Sequence, residues 1–357
     1  MIRAHNFLPL AGLVAAVTLS VSCAPEVEQA YQPERTSWGA PNIEGLWDFR
    51  TLTPLERPLD MADKTELTPE EAEVFRQAAI QAHDVDNRTG DASIADVEGA
   101  YNTFWWDWGT ELDEDLRTSL IVDPPNGRLP GITPEALAQN KMQKRLRTAP
   151  VRDLLSYSAN PEEFRPPGPE ALGLSERCLV GFNAGPPFTP SAYNNNLRII
   201  QTPDYIVLVT EMIHDARIIP MDGSPHPPPE MTRWSGDSRG HWDGNTLVVD
   251  TTNFSDKTPT YSLATSADLA GGVVGSGINL HLTERFTPVG EGRLAYEYTI
   301  DDPATFVQPL TVMIPLRATE GPMFEYACHE ANYAMPGMLK GARLLEAEAE
   351  AEAETAD

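Results

Sequence analysis

Basic residues are scarce in this chain: 26 Lys and Arg stand against 53 Asp and Glu, a formal net charge of -27. That balance argues against nucleic acid and against anionic membrane surfaces as partners. Hydrophobic runs of spanning length are missing too, because the one long apolar stretch, residues 7–22, is too short and too early for a membrane span. No P-loop, no G-x-S-x-G elbow, no G-x-G-x-x-G after a strand and no C-x-x-C-H haem attachment site occurs, so phosphate-loop, dinucleotide and c-type haem chemistry lack support. Of seven histidines, none forms an H-x-H, H-E-x-x-H or H-x-x-E-H unit. A metal would have to be assembled from distant residues such as His214, His241 and Asp237, and neither a metal nor another cofactor is expected.

Cysteine is also sparse, with three residues whose positions are informative. Residues 7–22 follow Arg3 and end in small side chains, the layout of a secretory signal. Cys23 stands where a lipoprotein signal places its acylated cysteine, although Ser20 occupies a position where such signals prefer Leu. Residues 1–23 therefore read as an export signal, with a lipid anchor at Cys23 or ordinary cleavage nearby, and the mature chain is expected in the periplasm or on the envelope without a transmembrane span. In an oxidising compartment the remaining Cys178 and Cys328 are expected to form a disulfide.

Residues 24–42 are a polar, proline-containing leader, and 43–345 read as one β-rich domain with a helical N-terminal part. Ile43 to Phe49 looks like an entry strand. Thr68-Pro69-Glu70-Glu71 is a capping box with proline at the first helical position, predicting a helix to about His83. A second start at Thr133 predicts a helix to about Arg147, and a short strand is expected over 118–122. From Leu197 onward the pattern becomes short β-rich runs separated by turns: 197–202, 205–219, 231–242, 246–254, 278–287, 293–301, 309–317 and 323–330. Runs of this kind without intervening helices predict an antiparallel meander, closed as a barrel or folded as a sandwich, with the N-terminal helices over one face or mouth. Residues 346–357 form an acidic tail, read as a solvated helix extension or disorder.

The densest chemistry lies at Trp234 to Phe254, W-S-G-D-S-R-G-H-W-D-G-N-T-L-V-V-D-T-T-N-F. Asp237, Arg239 and His241 occupy alternate positions, so in an extended chain an acid, a fixed cation and an imidazole share one face. A surface ion-pair cluster is the plain alternative. On the run 205–219, His214 ends an apolar row, where desolvation would favour a neutral imidazole able to act as a base. Asp215 and Arg217 share the opposite face. His281 and Arg285 share one face of their strand and Glu284 takes the other. Tyr193 and Asn194 are candidates for a polar pocket rim, and Trp105 and Trp106, in the cluster F-W-W-D-W, for a wall against an apolar or aromatic ligand, with plain packing as the competing explanation for both.

Several strings are long and specific: R-T-S-L-I-V-D-P-P-N-G-R at 117–128, G-F-N-A-G-P-P at 181–187, E-M-I-H-D-A-R at 211–217, G-D-S-R-G-H-W-D-G-N-T-L-V-V-D-T-T-N-F at 236–254 and Y-A-C-H-E-A-N-Y at 326–333. Over about Tyr101 to Arg343 the chain resembles a large family of exported bacterial proteins whose reaction is unassigned. The resemblance implies an exported, β-rich and lipocalin-like chain.

The function expected from these features is a cofactor-independent acid-base enzyme, a lyase, dehydratase or isomerase, acting on a small apolar or aromatic molecule in a β-barrel pocket. His241 and His214 would exchange protons, Asp237 would orient an imidazole, and Arg239 would hold a developing oxyanion. Arg217, His281, Tyr193, Asn194, Trp105 and Trp106 would contact the substrate. The alternatives are a non-catalytic exported protein that binds a hydrophobic ligand and a structural envelope lipoprotein.

Overall fold

The computed structural model describes residues 31–82, 107–138, 168–175, 177–181, 183–262, 273–330 and 332–356. The expected export signal, Trp105 and Trp106 and most of the expected second helix lie outside these residues. Twelve strands are found among them: β1 (Gly45–Asp48), β2 (Ile121–Asp123), β3 (Asn196–Gln201), β4 (Tyr205–Thr210), β5 (Ala216–Pro220), β6 (Asp237–Asp243), β7 (Thr246–Thr252), β8 (Tyr261–Ser262), β9 (Val273–Val274), β10 (His281–Gly290), β11 (Arg293–Asp301) and β12 (Leu310–Ala318). Two longer helices accompany them, α1 (Pro69–Ala82) and α2 (Ala334–Ala356).

One antiparallel sheet runs β5-β4-β3-β1-β12-β11-β10-β7-β6, with β2 also paired to β12. Its neighbours are mostly consecutive in the chain, so the meander curls until its two ends, β5 and β6, come side by side as a nearly closed barrel. Gly240 of β6 permits that approach. A Cβ there would sit 2.5 Å from Met221 Sδ and 3.0 Å from Ile219 Cγ2, closer than side-chain carbons pack. The hairpin turn Asp243-Gly244-Asn245, with Gly244 at φ 62°, sets the β6–β7 register in which His241 faces Val248 and Arg239 faces Asp250.

Alternation decides what fills the barrel. On β10, Leu282, Glu284 and Phe286 are buried while the residues between them are more exposed, and Leu294, Tyr296, Tyr298 and Ile300 line the next strand inward. Phe188, from the loop before β3, stacks on Tyr296 with ring centroids 3.9 Å apart and also leans on Phe49 at 5.0 Å. The interior between these strands is thus packed with aromatic side chains. A hollow beside Phe188, lined by Thr210, Asp215, Arg217 and Ser235 among others, has room for about one water.

Four expectations need correction. The run 205–219 is two strands, because Glu211 and the turn Met212–His214 interrupt it and Ile213 takes a left-handed backbone (φ 61°). Residues 323–330 form no strand, and 231–236 are loop rather than the start of β6. The helical cover over the barrel is not seen among the described residues. Instead α1 packs with Leu52, Leu67, Leu112 and Trp108 in a satellite cluster, and only 134–138 of the second helix are described.

The capping box of α1 forms as its residues require: Thr68 N–H donates to Glu71 Oε2 at 2.8 Å and Glu71 N–H to Thr68 Oγ1 at 3.3 Å. Replacing Thr68 by Ala should cost about 1 kcal/mol, localised to α1. Hydrogen exchange should show faster exchange in the first turn of α1 with β10 to β12 unchanged.

Candidate functional site

Asp237, Arg239 and His241 do share one face of β6, and it is the outer face. Ser238 and Gly240 are buried on the other side and Trp242 packs against the core there. On the neighbouring β7, Asp250 faces outward opposite Arg239, and on β10 Thr283 lies opposite Asp250 with His281 two positions before it. The outer face of β6, β7 and β10 therefore gathers Asp237, Arg239, His241, Asp250 and His281 from three adjacent strands.

A fourth element completes the set. The connection from β5 to β6, residues 221–236, lies across this face and contributes His226, bracketed by Pro225 and Pro227 in S-P-H-P-P-P. Its Nδ1 lies 3.0 Å from Asp237 Oδ1 and its Nε2 2.8 Å from Asp250 Oδ1. The other oxygen of Asp250 meets His281 Nε2. The result is an unbroken chain, Asp237–His226–Asp250–His281, running from a residue 3% exposed to a histidine side chain 49% exposed. Carboxylates only accept, so both nitrogens of His226 must carry hydrogens for both of its bonds to exist.

Cations balance the buried end. Arg233 Nη1 lies 3.2 Å from Asp237 Oδ2 and Arg239 Nη2 3.0 Å from Asp237 Oδ1, while Arg239 Nε is buried without a hydrogen bond. Burial works against the charge of Asp250, but the hydrogen bonds from His281 and His226 outweigh it and hold its carboxyl below the ordinary value. The connection itself is pinned by Asn253, whose Nδ2 donates to the carbonyls of Pro228 at 2.9 Å and Pro227 at 3.2 Å. Arg233 N–H donates to Asn253 O and Arg233 O accepts from Ser255 N–H, so 233 runs alongside the strand end like a short extra rung.

The remaining candidates are scattered. His241 is exposed on the same outer face, and no hydrogen bond to it is found among the described residues. His214 ends the turn Met212–His214 instead of closing an apolar strand row. Arg217, expected on a face shared with Asp215, reaches across the barrel interior to Glu284: Nη2 donates to Oε1 at 2.8 Å and Nη1 to Oε2 at 2.5 Å. Tyr296 Oη adds a third bond to that carboxylate at 2.7 Å. Tyr193 packs with Ala184, Met212, Ile213, Tyr326 and Cys328, where burial first and Tyr326 second push its pKa up to about 12. Asn194 adopts φ 56° and its carbonyl accepts from Asn183 Nδ2, a turn role. Cys178 and Cys328 form a disulfide.

His226 escaped the reading of strands because it sits on a loop, and a signal was available: a single histidine locked between prolines has a backbone too stiff to wander. Among the described residues no three His, Cys, Asp or Glu side chains gather in an arrangement able to hold a metal ion, and no helix is long and apolar enough to cross a membrane. Neither a protein-family model nor a curated protein matches the chain.

Proposed function

We propose that this chain is an exported acid-base enzyme, of lyase, dehydratase or isomerase type, whose reacting groups stand on the outer face of β6, β7 and β10. The observation that carries the reading is the chain Asp237–His226–Asp250–His281, which ends in a half-exposed imidazole oriented by a carboxylate. It transfers the proton-exchanging role from His241 and His214 to His281. The resemblance to exported, lipocalin-like proteins and the Cys178–Cys328 disulfide support the compartment.

In this reading neutral His281 keeps its hydrogen on Nε2, donated to Asp250, and uses the lone pair of Nδ1 to take a proton from a substrate C–H. Asp250 stabilises the imidazolium that forms, as a carboxylate behind a catalytic histidine does. Returning that proton to a leaving hydroxyl completes a dehydration; returning it to a neighbouring carbon completes an isomerisation. Arg239, the fixed cation beside Asp237, meets the negative charge that develops on the substrate. The substrate is a small molecule with an activated C–H that can lie on an open polar face, since the barrel interior is occupied by Phe188, Phe286, Tyr296 and Tyr298.

Exchange of substrate C–H for deuterium in D2O, followed by NMR over a panel of small hydroxylated and aromatic carbonyl compounds, tests the proposal whatever product each compound gives. His281→Gln should slow exchange of any active compound on the order of a hundredfold or more, with little change in melting temperature because the side chain is half exposed. Full activity in His281→Gln on a compound that the parent protein turns over would end the reading.

A further inference from the structure

The bonds of His226 impose a condition that catalysis does not require. Its imidazole stands between two groups that can only accept, and its two bonds, at 3.0 Å and 2.8 Å, each need a ring N–H. A neutral imidazole has one. Its second nitrogen would then turn a lone pair toward a carboxylate oxygen, and one contact would become repulsive. We infer that the 221–236 connection is a proton-operated strap: His226 clasps it to Asp237 and Asp250 when both ring nitrogens are protonated and releases it on losing a proton.

The rest of the molecule leaves this segment free to respond. The connection spans the one place where the barrel's neighbouring strands approach without a ladder among the described residues, between β5 and β6. Its C-terminal part, from Pro227 on, is held independently of pH by the bonds of Asn253 and by the backbone of Arg233, so the moving part is Asp222 to His226, whose side-chain tie to the barrel wall is His226. Pro225 and Pro227 stiffen the backbone on both sides, which makes the imidazole act on the segment as a unit.

The charged and titratable groups on the elements packed round His226 are Asp222, Glu230 and Arg233 on its own segment, Asp237, Arg239, His241 and Asp243 on β6, Asp250 on β7, and His281, Glu284 and Arg285 on β10, of which Arg285 pairs with Asp243 and Glu284 points inward to Arg217. Arg233 and Arg239 keep Asp237 paired when His226 is neutral. Asp250 is left with His281. Release therefore strands no buried charge, and for that reason the fold survives it. Opening would uncover Asp237 and Arg239 and widen access to Asp250 and His281. The strap follows from donor and acceptor counting alone, so it stands whether or not His281 turns over a substrate.

A nitroxide attached to Ser224→Cys in a Cys23→Ser background reports the strap directly, because the other two cysteines are joined to each other. Spectra at about pH 5.5 and about pH 8.5 bracket the range in which histidines ordinarily titrate. The clasp predicts a restrained line shape at the lower pH and a rise of about tenfold in the ratio of mobile to restrained label at the higher. His226→Gln should be mobile at both. Asp250→Asn is the decisive variant: its amide donates to the lone pair of neutral His226, so both bonds survive deprotonation and the label should stay restrained at both pH values. A parent line shape that does not change with pH would overturn the strap, as would an Asp250→Asn label as mobile at about pH 8.5 as that of His226→Gln.

Discussion

Replacing Arg217 by alanine should destabilise the protein by about 3 to 5 kcal/mol, the usual cost of removing one partner of a buried ion pair. Glu284 is fully buried inside the barrel and accepts two bonds from Arg217 and one from Tyr296. Burial opposes the charge of Arg217, but Glu284 outweighs it and raises the guanidinium pKa, while Tyr296 is pushed well up by its own burial and then by Glu284. Tyr296 cannot replace the lost cation: a tyrosine held that far from ionising donates one hydrogen bond and no charge. The carboxylate would have to bind a proton or draw water into the aromatic packing. Replacing both residues by apolar ones, Arg217→Met with Glu284→Leu, should recover most of the loss, because no charge is then left in the interior. Urea unfolding of Arg217→Met, Glu284→Leu and the double variant measures the coupling. An Arg217→Met variant within about 1 kcal/mol of the parent would show that water already solvates Glu284.

The same pair shows where sequence reasoning reaches its limit. Alternation correctly placed Glu284 on the opposite face from His281 and Arg285, and Asp237, Arg239 and His241 on one face of β6. It did not say which face of β6 points inward, since Ser238 and Gly240 are small and look no more like core than Asp237 does. Only the barrel's closure settles that, when Ile219 and Met221 fill the space a larger residue would have taken at Gly240. The meander itself was legible because β10, β11 and β12 alternate cleanly and β6–β7 carries its turn in Asp243-Gly244. The break at Ile213 was hidden, because Met212 and Ile213 continue an apolar pattern while the backbone has already turned. Residues 323–330 read as a strand by composition, yet Phe324 is 67% exposed and its amide donates to the Glu211 side chain instead of to a ladder. Long-range partners such as Arg217 with Glu284 and His226 with Asp250 arise from curvature, a property of the whole sheet that local periodicity does not carry.

The disulfide sets up the largest expected loss. Cys178 and Cys328 are 150 residues apart in sequence and their Cα atoms are 5.7 Å apart. Closing a loop of that size restricts the unfolded chain by about 5 kcal/mol on the chain-entropy model. Cys178→Ala with Cys328→Ala should lower unfolding free energy by about that amount, less whatever structure the unfolded chain retains. The damage should also have an address. The bridge joins the turn around Ser175 to the segment leading into α2, and next to it Leu172 packs against Met335, Met338 and Leu339. That apolar contact is small, so without the covalent tie α2 should detach well before the barrel melts. Strands β10 to β12, held by continuous ladders and the aromatic interior, do not depend on it. Hydrogen exchange on the double variant should therefore show α2 opening at a fraction of the global free energy while β11 keeps its protection relative to global unfolding. Uniform loss across α2 and β11 would mean that the bridge acts only through the unfolded state, and an unchanged α2 would mean that Leu172 and its partners suffice to dock it.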